Sequence, residues 1–219
     1  MKTHFIHHQG QHLIIYFAGW GTPPSVVAHL QLPANTDLLI CYQHHDLVCD
    51  FDLKPYQSIR VVAWSLGVWV AERVMQNTTL LSATAINGSG LPCHNQYGIP
   101  TEIFQGTLDK LSPQTRTHFE RRMCMDKSLL ADYQQHIDYQ AFEDIQTELH
   151  YLNHAIKQDT RHNLITWDKA IISQKDSIFP PDNLRHYWQT RCPIEEYPYA
   201  HLLFQHFTHW AEFWEGKHD

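Results

Sequence analysis

Val61-Val62-Ala63-Trp64-Ser65-Leu66-Gly67-Val68 is an apolar run that ends in a serine and passes at once into a helix-compatible stretch from Leu66 to Met75. Short continuous apolar runs of this kind characterise strands buried on both faces of a parallel sheet. A turn from strand to helix within one residue strains the serine backbone and lifts its hydroxyl above the sheet. It also requires small residues two positions to either side. Ala63 and Gly67 meet that requirement, in an A-x-S-x-G pattern in place of the commoner G-x-S-x-G. The helix N-terminus behind Ser65 supplies free N–H groups that favour developing negative charge. Serine is equally a good helix cap, so the turn alone leaves both readings open.

Outward from this turn the chain alternates. Leu13-Ile14-Ile15-Tyr16-Phe17, Leu38-Leu39-Ile40-Cys41-Tyr42 and Ala83-Thr84-Ala85-Ile86 are further apolar runs, with a helix-compatible stretch at Ser25 to Leu30. Alternating strands and helices predict an α/β architecture: a mostly parallel sheet with crossover helices. His4 to His7 and Leu13 to Phe17, separated by Gln9-Gly10-Gln11, read as a hairpin. From 109 to 162 strand formers thin out, and Phe119, Met123, Leu129, Tyr133, Ile145, Leu149, Leu152 and Ile156 recur at helical spacing among polar residues. This predicts a helical insertion at 109–162 between core segments 1–108 and 163–219. Strand character returns at Leu164 to Trp167, Ala170 to Ser173 and near Ile194, and a helix starting at Pro180-Pro181 and a closing helix from Leu202 to Trp214 are expected.

A serine that performs acyl transfer needs two backbone N–H donors for the oxyanion, one from the next residue and one from a loop after a neighbouring strand. Leu66 takes the first place, and Trp20, in Phe17-Ala18-Gly19-Trp20-Gly21, takes the second. An acid and a histidine must follow in that order. Asp176 lies just beyond a strand-like run, where α/β sites are built. Asp109, after Ile103 to Leu108, is its competitor, and Asp168 sits within strand-like sequence. Among 18 histidines, His201 is placed by position, after the last strand-like piece and ahead of the closing helix, whereas His206 and His209 fall inside that helix. His7-His8 and His44-His45-Asp46 lack the spacing of a metal site, so no metal is expected. Cys93-His94 is a poor thiol pair, because Cys93 follows a strand without opening a helix.

The chain has 219 residues, 43% of them apolar, enough for one compact core with an insertion. Sixteen basic residues against 23 acidic ones leave a net charge of −7, which disfavours a general nucleic-acid binder. No apolar run approaches the roughly 18 residues of a membrane helix, and Met1-Lys2-Thr3-His4 lacks a signal-peptide layout, so a cytoplasmic location is expected. Five scattered cysteines without a C-x-x-C pair indicate reduced thiols.

Taken together, Phe17-Ala18-Gly19-Trp20-Gly21-Thr22-Pro23-Pro24, Ala63-Trp64-Ser65-Leu66-Gly67, Ile86-Asn87-Gly88, Ile103 to Leu108 and Arg121-Arg122-Met123-Cys124 resemble the BioG-type pimeloyl-[acyl-carrier protein] methyl ester esterases over nearly the whole chain. The resemblance implies an α/β-hydrolase fold with a helical cap before the last strands. It also implies hydrolysis of the methyl ester of pimeloyl-acyl-carrier protein in biotin synthesis, no cofactor, a triad at Ser65, Asp176 and His201, and oxyanion donors at Trp20 and Leu66. Relative to the similar BioH-type esterases, Ala18 stands in place of a histidine and Ala63 in place of the elbow glycine; neither change removes a backbone donor. Carrier proteins are acidic, and Arg116, Arg121, Arg122 and Lys127 cluster in the insertion, so these four are the expected docking residues, the alternative being that they pair with Glu120, Asp126 and other acids on a solvated helix. Phe119, Met123 and Phe142 are expected along an acyl channel, and a monomer is expected. Two rival functions are a general short-chain esterase or thioesterase, and a non-catalytic carrier-binding module on a hydrolase scaffold.

Overall fold

A computed structural model describes residues 1–137 and 140–216. Seven strands form one sheet in the order β1-β3-β2-β4-β5-β6-β7: β1 Lys2–Ile6, β2 His12–Phe17, β3 Thr36–Tyr42, β4 Ser58–Trp64, β5 Ser82–Ile86, β6 Lys169–Ser173 and β7 Ile194–Tyr197. All neighbours run parallel except β1, which pairs antiparallel with β3 at the edge. The apolar runs became the central strands because both their faces are covered: Ile15, Phe17, Val62, Ala63, Ala83 and Ile86 are fully buried. This is the α/β-hydrolase fold.

Helix α1, Leu66–Met75, begins directly at the end of β4 and packs against β2 and β4. Between β5 and β6 the chain is helical: α2 Thr101–Asp109, α3 Pro113–Cys124, α4 Lys127–Ile137 and α5 Phe142–Gln158. Helix α6, Pro181–Trp188, lies between β6 and β7, and a short α7, Glu212–Glu215, ends the described chain. Among the described residues no helix is long and apolar enough to cross a membrane.

Five expectations are corrected. The hairpin is absent, because β3 lies between β1 and β2: Phe5 pairs with Leu39, and Ile15 pairs with Leu39 from the other side. The connection is fastened by Asp37 at the start of β3, whose carboxylate accepts the His8 and Gly10 amides (both 2.8 Å) and the Tyr56 hydroxyl (2.9 Å). Those bonds hold the Asp37 carboxyl down at about 2 although burial opposes them. Ile103 to Leu108 is not strand-like but the middle of α2, so helical structure starts at Thr101, ahead of 109; Phe104 is the residue that turns inward. Leu164 to Trp167 joins no ladder. Its Asn163 amide and Trp167 indole instead donate to Glu72 on α1, at 3.3 and 3.0 Å. The stretch at Ser25 to Leu30 forms only a 3₁₀ turn, Pro24–Val27.

The closing helix from Leu202 to Trp214 is likewise broken into a 3₁₀ turn at Phe204–His206 and α7. Phe204, Phe207, Trp210 and Phe213 recur every three residues and are all buried, which imitates a helical stripe. The chain between them is drawn out by Gln31, whose amide donates to Thr208 O (2.8 Å) and whose carbonyl accepts from Trp210 N (3.1 Å). The segment covers the sheet face bearing Tyr16, Trp64 and Thr84. His206 and His209 thus lie on this irregular path and not in a long helix.

Candidate active site

Ser65 has φ 59° and ψ −127°, a conformation disfavoured for a residue with a side chain and imposed by the junction of β4 with α1. Its amide donates to Ile86 O across the sheet (2.9 Å). The close approach explains Gly67: a Cβ there would stand 2.3 Å from Phe17 O and 2.6 Å from Ala18 O. Leu66 is the first residue of α1, so its N–H has no acceptor within the helix.

His201 reaches Ser65 from the loop after β7. Its Nε2 is 3.0 Å from Ser65 Oγ and its Nδ1 is 2.6 Å from Asp176 Oδ2. A carboxylate only accepts, so Nδ1 carries the proton and Nε2 is left to accept from the serine hydroxyl. Asp176, on the turn after β6, has its other oxygen filled by the amides of Ile178 (2.7 Å) and Phe179 (2.9 Å). The imidazole lies between Trp64 and Phe179, and His201 is 1% exposed. An imidazole backed by a fixed carboxylate and hydrogen-bonded to a strained serine can take the hydroxyl proton as the oxygen attacks a carbonyl.

A narrow pocket opens above Ser65 and His201. Trp20 and Leu66 border it, with Ile99, Phe104, Phe119, Met123, Leu149 and Ile178 making the wall apolar. Phe142, expected beside Phe119 and Met123, is not part of that wall. Ile103, Thr107, Phe119 and Arg122 also line a larger groove of about 1330 Å³ between α2 and α3, which includes Lys110 and His118.

The competing acids lie elsewhere. Asp109 ends α2 and accepts from Gln105 (2.7 Å), and Asp168 accepts the Ala83 amide ahead of β6 (2.8 Å). Of the four basic residues, Arg116 must be withdrawn from any docking role. It is 4% exposed, paired with Glu120 at 2.8 Å, and its guanidinium lies over the Trp20 ring. Arg121, Arg122 and Lys127 are exposed, and among the described residues none of the three has an acidic side chain within ion-pair distance. Arg122 also donates to Ser177 O, one residue from Asp176. Among the described residues no group of three or more His, Cys, Asp and Glu could hold a metal.

Sequence reasoning missed the roles of three polar residues of the site, although His44 and Asn87 stood in stretches it had singled out. Asn87, at the end of β5, donates to the His201 carbonyl and to Ser173 Oγ (both 2.8 Å), fixing the height of the histidine. His44 donates from Nε2 to Ala18 O (2.9 Å), and complete burial lowers it to about 4, so it is neutral. Glu148 accepts the amides of Gly21 and His44 through its two oxygens (2.9 and 2.8 Å). The one sequence signal for Glu148 was its register, within the stripe Ile145, Leu149, Leu152.

Residues 1–213 match the family model described as pimeloyl-ACP methyl esterase BioG. The chain belongs to the BioG family. A 53% identical protein of Haemophilus influenzae, described only as uncharacterized, aligns over 98% of this chain and all of its own. The crystal structure of selenomethionine BioG from H. influenzae superposes with a TM-score of 0.96 at 53% identity, covering 98% of this chain and 100% of that one. A stretch of a Bacteroides fragilis protein named malonyl-[acyl-carrier protein] O-methyltransferase is 39% identical over 86% of this chain, which spans only 39% of that longer protein. An esterase from Exiguobacterium antarcticum shares the fold alone, with a TM-score of 0.65 at 10% identity over 91% of this chain and 87% of that one. BioG membership and these neighbours make the chain an esterase-like α/β-hydrolase.

Proposed function

We propose that the chain hydrolyses the methyl ester of pimeloyl-acyl-carrier protein by a serine mechanism, releasing methanol and the carrier-bound acid for biotin synthesis. The observation that carries this is the chain of contacts from Ser65 through His201 to Asp176 at the floor of an apolar pocket. Ser65 Oγ attacks the ester carbonyl as His201 Nε2 takes its proton. The tetrahedral oxyanion is held by the N–H groups of Trp20 and Leu66, and His201 returns the proton to the departing methoxide. Water then attacks the acyl-enzyme by the same route in reverse, regenerating Ser65.

Methylene chains suit the apolar wall, and a methyl ester carries no charge into it. The relative named for methylating malonyl-acyl-carrier protein supports the substrate class, since a methyl ester placed on a carrier-bound acid requires an enzyme that removes it. The helices from 109 to 162 act in this reading as the cap. The exposed Arg121, Arg122 and Lys127 face an acidic carrier protein, and the enzyme works in the cytoplasm as a monomer without a cofactor. The groove between α2 and α3 shares Arg122 with the pocket, so that one of the three basic residues borders both.

The test is incubation with pimeloyl-acyl-carrier protein methyl ester, with mass spectrometry of the carrier. Loss of one methyl with the thioester intact is expected, and Ser65→Ala should abolish it while leaving the protein folded, because the elbow accepts a smaller side chain. Release of free carrier thiol would instead make the chain a thioesterase, and fluorophosphonate labelling anywhere but Ser65 would remove the nucleophile assignment.

A further inference from the structure

A buried carboxylate and a buried guanidinium face each other across Gly21, each reaching it from the helical segment. Glu148 Oε2 on α5 accepts the Gly21 N–H at 2.9 Å, and Arg116 Nη2 on α3 donates to the Gly21 carbonyl at 2.9 Å. Both side chains are removed from water, Glu148 at 0% and Arg116 at 4% exposure. Burying either charge is costly, and surface packing of α3 and α5 would be served as well by apolar residues.

The loop between β2 and the 3₁₀ turn at Pro24 shows what the two charges hold. Its peptide units are fastened in order. The Ala18 amide donates to Cys41 O, the Ala18 carbonyl accepts from His44, and the Gly19 carbonyl accepts from Thr22 Oγ1 at 2.6 Å. In the following unit the Gly21 N–H goes to Glu148, and in the one after it the Gly21 carbonyl accepts from Arg116 and, at 3.3 Å, from the Tyr133 hydroxyl. A trans peptide is planar, so its N–H points opposite to its C=O. With Gly19 C=O bound by Thr22, the Trp20 N–H in the same unit is aimed away from Thr22, and the unit that follows is stopped from rotating by Glu148. Gly21 itself has φ +63°, and a Cβ on it would stand 2.7 Å from Arg116 Nη1, so the clamp and the glycine require one another.

We propose that Glu148 and Arg116 are positioning residues for oxyanion stabilisation: from two different helices they fix the peptide units on either side of Gly21 and thereby aim the Trp20 N–H. The proposal rests on the reading of Ser65 as nucleophile. Burial pushes the Glu148 carboxyl up to about 7, although both N–H donors and Arg116 favour its charged form. Glutamine at the same place offers one acceptor oxygen where Glu148 uses two, so either Gly21 or His44 must then face an NH₂ group.

The experiment compares wild type, Glu148→Gln, Arg116→Lys and Ser65→Ala on a p-nitrophenyl ester, a substrate too small to need a carrier surface. Folding is checked by thermal melting. Loss of one aimed oxyanion donor lowers kcat on the order of 100-fold. Glu148→Gln should therefore lose about that factor in kcat with KM within threefold, and should bind a boronic acid, which forms a tetrahedral adduct on serine, more weakly by a similar factor. A purely structural role would instead lower the melting temperature and leave kcat and boronate affinity of the folded protein unchanged, which overturns the proposal. Should Glu148→Gln not fold, Arg116→Lys decides by the same two readouts. Ser65→Ala separates the two failures. Residual hydrolysis in that variant defeats the nucleophile reading and the proposal with it, whereas an inactive Ser65→Ala beside a fully active Glu148→Gln defeats the proposal alone.

Discussion

Both oxygens of Asp176 are engaged: one faces His201 and the other receives two amides, so the carboxylate is locked in rotation. Asparagine fits the space but must turn its NH₂ either toward two N–H donors or toward His201 Nδ1. In the second orientation the imidazole switches tautomer, and Nε2 can no longer accept the Ser65 proton. Asp176→Asn should therefore lower kcat on the order of 10⁴-fold with KM nearly unchanged. A larger loss from Asp109→Asn would reverse the assignment of the acid. That Ser65, Asp176 and His201 come together was legible in the sequence because each sits at a junction: strand to helix, strand end to loop, loop ahead of the last turn. Asn87 and Glu148 were not legible. What defines them is a partner more than 85 residues away, and nothing local marks a polar side chain as buried.

At the scale of elements, α5 brings Glu148 beneath the loop after β2, next to the buried His44, and the two oppose each other in pH. His44 is lowered from 6.5 to about 4, so the unfolded chain takes up its proton first. The stability it contributes is present above 6.5 and is lost as the pH falls from 6.5 toward 4. Glu148 is raised from 4.5 to about 7, so its contribution is full below 4.5 and is lost as the pH rises from 4.5 to 7. Urea unfolding of the wild type should vary little between pH 4.5 and 6.5. With His44→Gln, stability should fall across that interval and on to pH 7, by on the order of 2 kcal/mol. A flat profile in His44→Gln would show that Glu148 titrates near its ordinary value. The elements themselves were read well where period and burial agree, as in β2, β4, α1 and α5. They were misread where another element decides: a strand inserted between β1 and β2, and Gln31 stretching residues 207–210 out of a helix whose apolar spacing they carry.

For the whole molecule the charge is −7, yet α3 and the start of α4 present Arg121, Arg122 and Lys127 to solvent. Attraction of an acidic carrier to such a patch is long-range and screened, so several hundred millimolar salt should lower kcat/KM on the carrier-bound ester and leave a p-nitrophenyl ester untouched. Arg122 also lines the pocket, which makes Arg121→Glu with Lys127→Glu the cleaner reversal. It should reduce kcat/KM on the carrier substrate at least about tenfold, about 1.4 kcal/mol. Equal losses on both substrates would mean damage to the site itself. The apolar wall made by Ile99, Phe104, Met123, Leu149 and Ile178 has one more consequence for the proposed reaction. The ester arrives as a neutral guest, but each turnover leaves a carboxylate in its place, and an anion among methyl groups and rings forfeits several kcal/mol of hydration. The proposed reaction would thus turn a neutral guest into an anion that the apolar wall solvates poorly, which favours departure of the product over departure of the substrate.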